Sequence, residues 1–144
     1  MKVGWIGLGI MGAPMAGHLR AAGHELFVNT RSEVPQALKD SGAVACKTPA
    51  EVAKNAEVIF TMVPDTPDVQ KVLFGESGIA SALTKGKTVI DMSSISPIET
   101  KEFAKQIEAT RLRYRHSMLA TDYVLQGAVE LPETVRDGQV RVER

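Results

Sequence analysis

Cysteine, aromatic residues, excess charge and long apolar runs are all scarce in this sequence of 144 residues. The single cysteine, Cys46, excludes an intrachain disulfide framework and a cysteine-rich zinc site. The longest apolar stretch, residues 56–64, is interrupted by Glu57 and is far shorter than the roughly 20 residues of a membrane span. Lys and Arg together number 17, as do Asp and Glu, so no net charge attracts nucleic acid or an anionic membrane.

What remains is the composition of an ordinary globular domain. Hydrophobic residues make up 44% of the chain, which is enough to fill a core, and the length corresponds to one domain. A strand-like segment begins directly after Met1, so we expect no signal peptide. The composition therefore predicts a soluble, cytoplasmic α/β protein without a metal site and without a nucleic-acid or membrane partner.

Short apolar runs alternate with segments of helical periodicity up to about residue 110. The predicted strands are residues 3–7, 25–28, 43–45, 57–62 and 88–91, and the predicted helices are residues 10–22, 34–40, 49–55, 67–73 and 97–109. This alternation predicts a doubly wound parallel sheet, Rossmann-like, with helices on both faces and strand order 3-2-1-4-5. Residues 113–116 are a candidate sixth strand.

A glycine-rich turn follows the first predicted strand and opens the first helix. It consists of Gly7, Leu8, Gly9, Ile10, Met11 and Gly12, and we call it the glycine turn. In a G-x-G-x-x-G turn the first glycine makes the tight bend, the second lets the backbone approach a pyrophosphate, and the third lets the helix pack against the strand. The helix N-terminus adds unpaired amides that attract phosphate. The turn predicts dinucleotide binding, and the alternative is an ordinary glycine-rich strand-to-helix turn.

The end of the second strand predicts which dinucleotide is bound. An Asp or Glu at this position would hydrogen-bond the ribose of NAD, but the sequence continues as Asn29-Thr30-Arg31-Ser32. Asn29 does not repel a 2′-phosphate, and Arg31 can hold one with the hydroxyls of Thr30 and Ser32. NADP is therefore the expected cofactor and NAD the second choice. The alternative is an exposed loop whose arginine pairs with a surface carboxylate.

The fourth and fifth strands end beside the glycine turn in a doubly wound sheet. Val63 and Pro64 should then line the adenosine and ribose side of the pocket, while Asp65 is more simply a helix-capping residue. Ser93 and Ser94 follow the fifth strand, where their hydroxyls could meet the nicotinamide side or a small polar substrate. Turn hydrogen bonds alone would also explain this serine pair.

Several separated segments resemble the β-hydroxyacid dehydrogenases, the family that includes the 3-hydroxyisobutyrate dehydrogenases. They are the glycine turn with its continuation Ala13-Pro14-Met15, then residues 62–69, 72–75, 78–79 and 91–97. The resemblance implies hydride transfer between a nicotinamide and the carbonyl of a small 3-oxo acid. It favours reduction of 2-hydroxy-3-oxopropionate (tartronate semialdehyde) to glycerate, with 3-hydroxyisobutyrate as the alternative. It also implies that the glycine turn, Asn29, Arg31, Val63, Pro64 and Ser94 bind the cofactor.

The resemblance covers about residues 1–110 and then stops. Nine Lys and two Arg occur before residue 110, and six Arg without any Lys occur after it. The family's substrate loop, its helical second domain and its catalytic lysine have no counterpart, since Lys105 is the last lysine. We therefore expect a nucleotide-binding domain at 1–110 and an anomalous tail at 111–144, frameshifted or truncated, with divergence as the alternative.

Three functional interpretations follow from this departure. The chain is the cofactor-binding domain of an oxidoreductase, a non-catalytic module that binds NADP, or a fragment without function. Because no residue matches the catalytic lysine, we expect no catalytic residue in this chain and no turnover by it alone. The helix at 97–109 would expose the face that a second domain covers, so the chain should be poorly soluble or a homo-oligomer.

Overall fold

The computed structural model describes residues 1–109 and 113–116. Six parallel strands form one sheet in the order β3-β2-β1-β4-β5-β6. The strands are β1 (Lys2–Ile6), β2 (Glu25–Asn29), β3 (Val44–Ala45), β4 (Val58–Thr61), β5 (Thr88–Asp91) and β6 (Arg113–His116). The predicted strand order and the candidate sixth strand are both confirmed. The tail predicted to begin at residue 111 otherwise lies outside the described residues.

Five α-helices connect the strands. They are α1 (Gly12–Ala21), α2 (Gln36–Asp40), α3 (Pro49–Asn55), α4 (Thr66–Phe74) and α5 (Pro97–Glu108). A short 3₁₀ helix, Ile79–Ala82, precedes β5 and was not predicted from the sequence. Helix α1 begins two residues later than predicted, because Ile10 and Met11 belong to the turn before it.

Local sequence signals account for where the later helices begin. Thr48, Asp65 and Ser96 each have extended backbone angles, and each side chain accepts a hydrogen bond from an amide in the first turn of α3, α4 and α5. A proline follows at the first or second helical position, where its missing N–H is not needed. These caps position the loops that leave the carboxyl ends of β3, β4 and β5.

The central strands β2, β1, β4 and β5 are buried on both faces, whereas both residues of the edge strand β3 are exposed. Trp5, Leu26 and Phe60 belong to one core with Met15 and Leu19 of α1. Neighbouring positions such as Ile6 and Ile59 point into the opposite core, which α3, α4 and α5 cover. The rings of Trp5 and Phe60 stack across adjacent strands with centroids 5.2 Å apart. This packing confirms the predicted doubly wound, Rossmann-like architecture and holds the strand ends rigidly at one edge.

Candidate functional site

The strand order creates a crevice at the carboxyl edge of the sheet. From β1 the chain passes to β2 and β3 on one side, and it then crosses back to place β4, β5 and β6 on the other side. Loops on the two sides of this reversal leave in opposite directions, which opens a binding crevice above β1. The glycine turn lies at this point, between the loop after β2 and the loop after β4.

Each of the three glycines in the turn occupies a different environment. Gly7 has φ +97°, and a Cβ there would lie 2.0 Å from the carbonyl oxygen of Met62. A Cβ on Gly12 would lie 2.0 Å from the carbonyl oxygen of Gly7, so α1 packs directly on the strand end. A Cβ on Gly9 would meet no atom within 4 Å. Gly7 and Gly12 are therefore required by the fold, whereas the space at Gly9 is open to a ligand.

Two hydrogen bonds fix the turn to the sheet. The amide of Gly7 donates to the carbonyl of Asn29 over 2.9 Å, which joins the turn to the end of β2. The indole Nε1 of Trp5 donates to the carbonyl of Gly7, also over 2.9 Å. Trp5 itself is fully buried. The backbone of the turn is thus held in place by strands β1 and β2, and a phosphate site needs such a preorganised backbone.

The N-terminus of α1 is suited to an anion. No side chain caps it, and its first turn contains no acidic residue. Its backbone amides and the positive end of its dipole therefore favour negative charge. Leu8 is buried in the core, while Gly9, Ile10 and Met11 are exposed along the crevice. Leu8, Ile10 and Met11 have apolar side chains, so the contacts predicted for them with a cofactor phosphate would involve their backbone.

The loop after β2 carries the residues predicted to bind a 2′-phosphate. The side-chain amide of Asn29 donates to the carbonyl of Cys46 over 2.9 Å and ties this loop to the end of β3. The hydroxyls of Thr30 and Ser32 lie 3.2 Å apart and share a hydrogen bond. Arg31 forms a two-pronged ion pair with Asp68 of α4, with N···O distances of 2.8 and 3.0 Å. This contact is the one that the alternative interpretation describes, an arginine paired with a carboxylate of the same chain.

A buried polar network joins the ends of β4 and β5. The hydroxyl of Thr61 donates to Asp91 Oδ1 over 2.8 Å, and the amide of Ser93 donates to the same oxygen over 3.1 Å. The amide of Val63 donates to Ser93 Oγ over 3.0 Å. Thr61, Asp91 and Ser93 are each no more than 1% exposed. The network holds the Val63–Pro64 segment beside the glycine turn.

This network corrects the prediction for Ser93. A hydroxyl that is 1% exposed and already bonded to Val63 does not face a substrate, so Ser93 positions the β4 loop instead of binding substrate. Ser94, one residue later, is exposed, and its contact with cofactor or substrate stays a prediction. Pro64 is exposed and Val63 is half-buried along the same edge. Asp65 caps α4 by accepting the amide of Asp68 over 3.0 Å, which confirms its capping interpretation.

The remaining chemistry-bearing residues form no second centre in the described part of the chain. Cys46 is buried, and burial raises the pKa of its thiol to about 11, so it is unreactive at neutral pH. Burial lowers the pKa of His24, which lies at the turn into β2 and not in the crevice. No group of three metal-binding side chains and no helix long and apolar enough to cross a membrane occurs among residues 1–109 and 113–116. A cleft of about 620 Å³ between α1 and α2 is lined by Arg20 and Leu38, and also by Ala13 and Pro14, which directly follow the glycine turn.

Sequence reasoning missed Asp68, Thr61 and the role of Asp91. A charged residue at the end of the apolar segment 88–91 signals a buried polar partner, but the partner itself, 30 residues earlier, has no local signature. Asp68 lies 37 residues from Arg31, and only the sheet order brings the two loops together.

Comparison with known proteins shows which kind of domain the chain contains. Residues 2–116 match the NAD-binding domain of 6-phosphogluconate dehydrogenase. The chain is 57% identical over 107 residues to 2-hydroxy-3-oxopropionate reductase of Escherichia coli K12, covering 74% of this chain and 37% of that protein. The chain thus spans well under half the length of that relative.

Two solved structures have the same architecture. A 3-hydroxyisobutyrate dehydrogenase from Salmonella typhimurium superimposes with a TM-score of 0.72 at 30% identity, covering 79% of this chain and 40% of that one. Psf3, solved in complex with NADP⁺, superimposes with a TM-score of 0.71 at 27% identity, covering 78% of this chain and 40% of that one. The chain therefore belongs to the family of NAD(P)-dependent 3-hydroxyacid dehydrogenases, and residues 2–116 are its NAD-binding domain.

Proposed function

We propose that this chain binds NADP(H) in preference to NAD(H), in the crevice above β1. The observation that carries the proposal is the glycine turn, in which Gly9 alone has open space around its Cβ position. A pyrophosphate can therefore approach the backbone there and receive the amides at the N-terminus of α1. When bound, the nicotinamide of the cofactor donates or accepts a hydride, and the residues of this chain bind and orient the cofactor.

Selectivity for the 2′-phosphate rests on the loop after β2. This loop contains the guanidinium of Arg31 and the hydroxyls of Thr30 and Ser32. Its first residue is the uncharged Asn29, at the position where a carboxylate would favour NAD. Arg31 presents two N–H groups in one plane, which matches two oxygens of a phosphate. The relative Psf3, solved with NADP⁺, supports this choice. NAD remains the second choice of cofactor.

The test compares two cofactors in two proteins by calorimetric titration. Arg31→Ala should lower the affinity for NADPH by about 1.5–3 kcal/mol, the range for hydrogen bonds to charged groups, and leave the affinity for NADH unchanged. The control is Glu33→Gln, which removes a charge two residues after Arg31 and breaks only an exposed ion pair with Lys39 of α2. Equal losses for both cofactors in Arg31→Ala would refute the assignment.

For the reaction, we propose reduction of 2-hydroxy-3-oxopropionate to glycerate by the protein of which this domain forms part. Support comes from the 57% identity with the E. coli reductase, while the Salmonella neighbour keeps 3-hydroxyisobutyrate as the alternative substrate. Ser94 is exposed in the loop after β5, and we propose that its hydroxyl donates a hydrogen bond to the nicotinamide amide or to a small oxo acid. Competition between the two substrates for binding to the NADPH-loaded chain, with Ser94→Ala as the variant, tests both statements.

A second candidate function is a non-catalytic module that binds NADP. It is favoured by the family resemblance, which implies a catalytic lysine outside the nucleotide-binding domain that residues 2–116 form. The residues of the crevice would then bind and hold the cofactor without transferring hydride. Binding of NADPH without oxidation in the presence of substrate would favour this function. A cytoplasmic location and a homo-oligomeric state remain predictions.

A further inference from the structure

The ion pair between Arg31 and Asp68 joins the two walls of the crevice. Arg31 lies in the loop after β2, and Asp68 lies in the first turn of α4, which follows β4. Strands β2 and β4 are the two neighbours of β1. Since adjacent strands lie about 4.8 Å apart, the loops that the pair connects leave strands roughly 10 Å apart. The pair therefore spans the sheet edge at which the glycine turn lies.

The ion pair is bidentate, because both terminal nitrogens of the Arg31 guanidinium donate to Asp68. Nη1 donates to Asp68 Oδ1 over 2.8 Å, and Nη2 donates to Oδ2 over 3.0 Å. Arginine binds a phosphate through the same pair of parallel N–H groups. The carboxylate of Asp68 and the 2′-phosphate of NADP would therefore compete for the same side of the guanidinium.

The two partners differ in how firmly they are held. The side chain of Asp68 is 20% exposed, whereas that of Arg31 is 73% exposed. Asp68 is also anchored in α4, where its amide donates to Asp65 Oδ1, and its negative charge is favourable in the first turn of a helix. Arg31 is thus the side chain that can reorient. When it does, the first turn of α4 still stabilises the negative charge of Asp68.

We propose that Asp68 is a specificity-determining residue, which holds Arg31 in the cofactor-free protein and weakens binding of NADP(H) relative to NAD(H). This rests on the proposed function, in which Arg31 binds the 2′-phosphate. An arriving phosphate must displace the Asp68 carboxylate from the Arg31 guanidinium before it can bind there. NAD(H) carries a hydroxyl at this position and does not need the guanidinium. Asp68 therefore tunes the preference that Arg31 creates.

The experiment uses Asp68→Asn, which keeps the size of the side chain and removes its charge. Titration with NADPH and NADH is combined with 2′,5′-ADP and 5′-AMP, which are the adenosine halves of the two cofactors and differ only in the 2′-phosphate. We expect binding of NADPH and 2′,5′-ADP to tighten by about two- to fivefold, the size of an exposed ion pair, with NADH and 5′-AMP unchanged. Should Asp68→Asn fold poorly by thermal melting, Asp68→Ser, a residue accepted in first turns, should give the same gain.

Two controls separate the specific effect from general electrostatics. Glu33→Gln removes a negative charge two residues from Arg31 and should leave all four affinities unchanged. The double variant Arg31→Ala/Asp68→Asn should bind NADPH as weakly as Arg31→Ala, because the gain requires the guanidinium. A gain in the double variant equal to that in Asp68→Asn would overturn the proposal.

The outcomes also distinguish this inference from the proposed function. If Arg31→Ala weakens NADPH binding while Asp68→Asn changes nothing, the cofactor assignment stands and the role of Asp68 is overturned. If Asp68→Asn tightens NADH and NADPH equally, the pair obstructs the crevice without selecting a cofactor, and the proposal is again overturned. If Arg31→Ala leaves NADPH affinity unchanged, both statements fail together.

Discussion

Gly9→Ala should remove most of the affinity for NADPH while leaving the free energy of unfolding unchanged or slightly higher. A Cβ at Gly9 meets no atom within 4 Å, and Gly9 is not among the glycines with positive φ. Alanine is therefore accommodated, and by restricting the unfolded chain it adds at most about 0.4–1 kcal/mol of stability. The new methyl group occupies the space through which a pyrophosphate would reach the backbone. Loss of one hydrogen bond to a charged group, about 1.5–3 kcal/mol, corresponds to roughly 10- to 150-fold in Kd.

Two other glycines serve as matched comparisons. Gly12→Ala places a Cβ 2.0 Å from the backbone oxygen of Gly7 and 3.0 Å from Trp5 Nε1, so it should cost about 1–3 kcal/mol of stability or more. Gly23→Ala has open space but φ +87° at the end of α1, far from the crevice. Its strain should cost about 1–2 kcal/mol of stability with no change in cofactor affinity.

The assay combines calorimetric titration of NADPH with urea unfolding followed by tryptophan fluorescence. Trp5 is the single tryptophan, and its indole is bonded to Gly7, so its emission also reports on the turn itself. A Gly9→Ala protein that binds NADPH as the wild type does would refute the placement of the pyrophosphate. A loss of stability above about 1 kcal/mol would show instead that position 9 is sterically restricted.

Three further predictions address the core, the thiol and the reaction. Thr61→Val removes the buried donor to Asp91 Oδ1 and should cost about 1.5–3 kcal/mol in urea unfolding; a loss below about 0.5 kcal/mol would contradict the network. Burial raises the pKa of Cys46 to about 11, so iodoacetamide at pH 8 should alkylate the folded chain far more slowly than the unfolded chain, as mass spectrometry can follow. Because this pKa is raised, the stability it contributes is complete below the ordinary thiol pKa and declines as pH rises from about 9 towards 11. The 144-residue chain should oxidise NADPH with 2-hydroxy-3-oxopropionate at least about 100-fold more slowly than typical enzymes, because we expect no catalytic residue in it and a positioned proton donor contributes about 10²–10⁴-fold. Turnover at ~1–10³ s⁻¹ would contradict this prediction.

The elements, their order in the sheet and the glycine turn could all be predicted from the sequence. Helix and strand periodicity, the three capping residues and the spacing of Gly7, Gly9 and Gly12 are local features, each expressed within a few residues. Strand order followed from the same local pattern, because right-handed crossovers allow few arrangements of alternating strands and helices. The 3₁₀ helix at Ile79–Ala82 escaped prediction because so short a segment has no periodicity to read.

Which polar groups pair inside the site was decided only by the tertiary structure. Ser93 and Ser94 are chemically identical neighbours, yet the loop after β5 buries one against Val63 and exposes the other. Arg31 has the chemistry to bind a phosphate, and the adjacency of β2, β1 and β4 brings it to a carboxylate 37 residues away. Hydrogen bonds and ion pairs act over about 3 Å, so partners distant in sequence are determined by how the sheet assembles and leave no pattern along the chain.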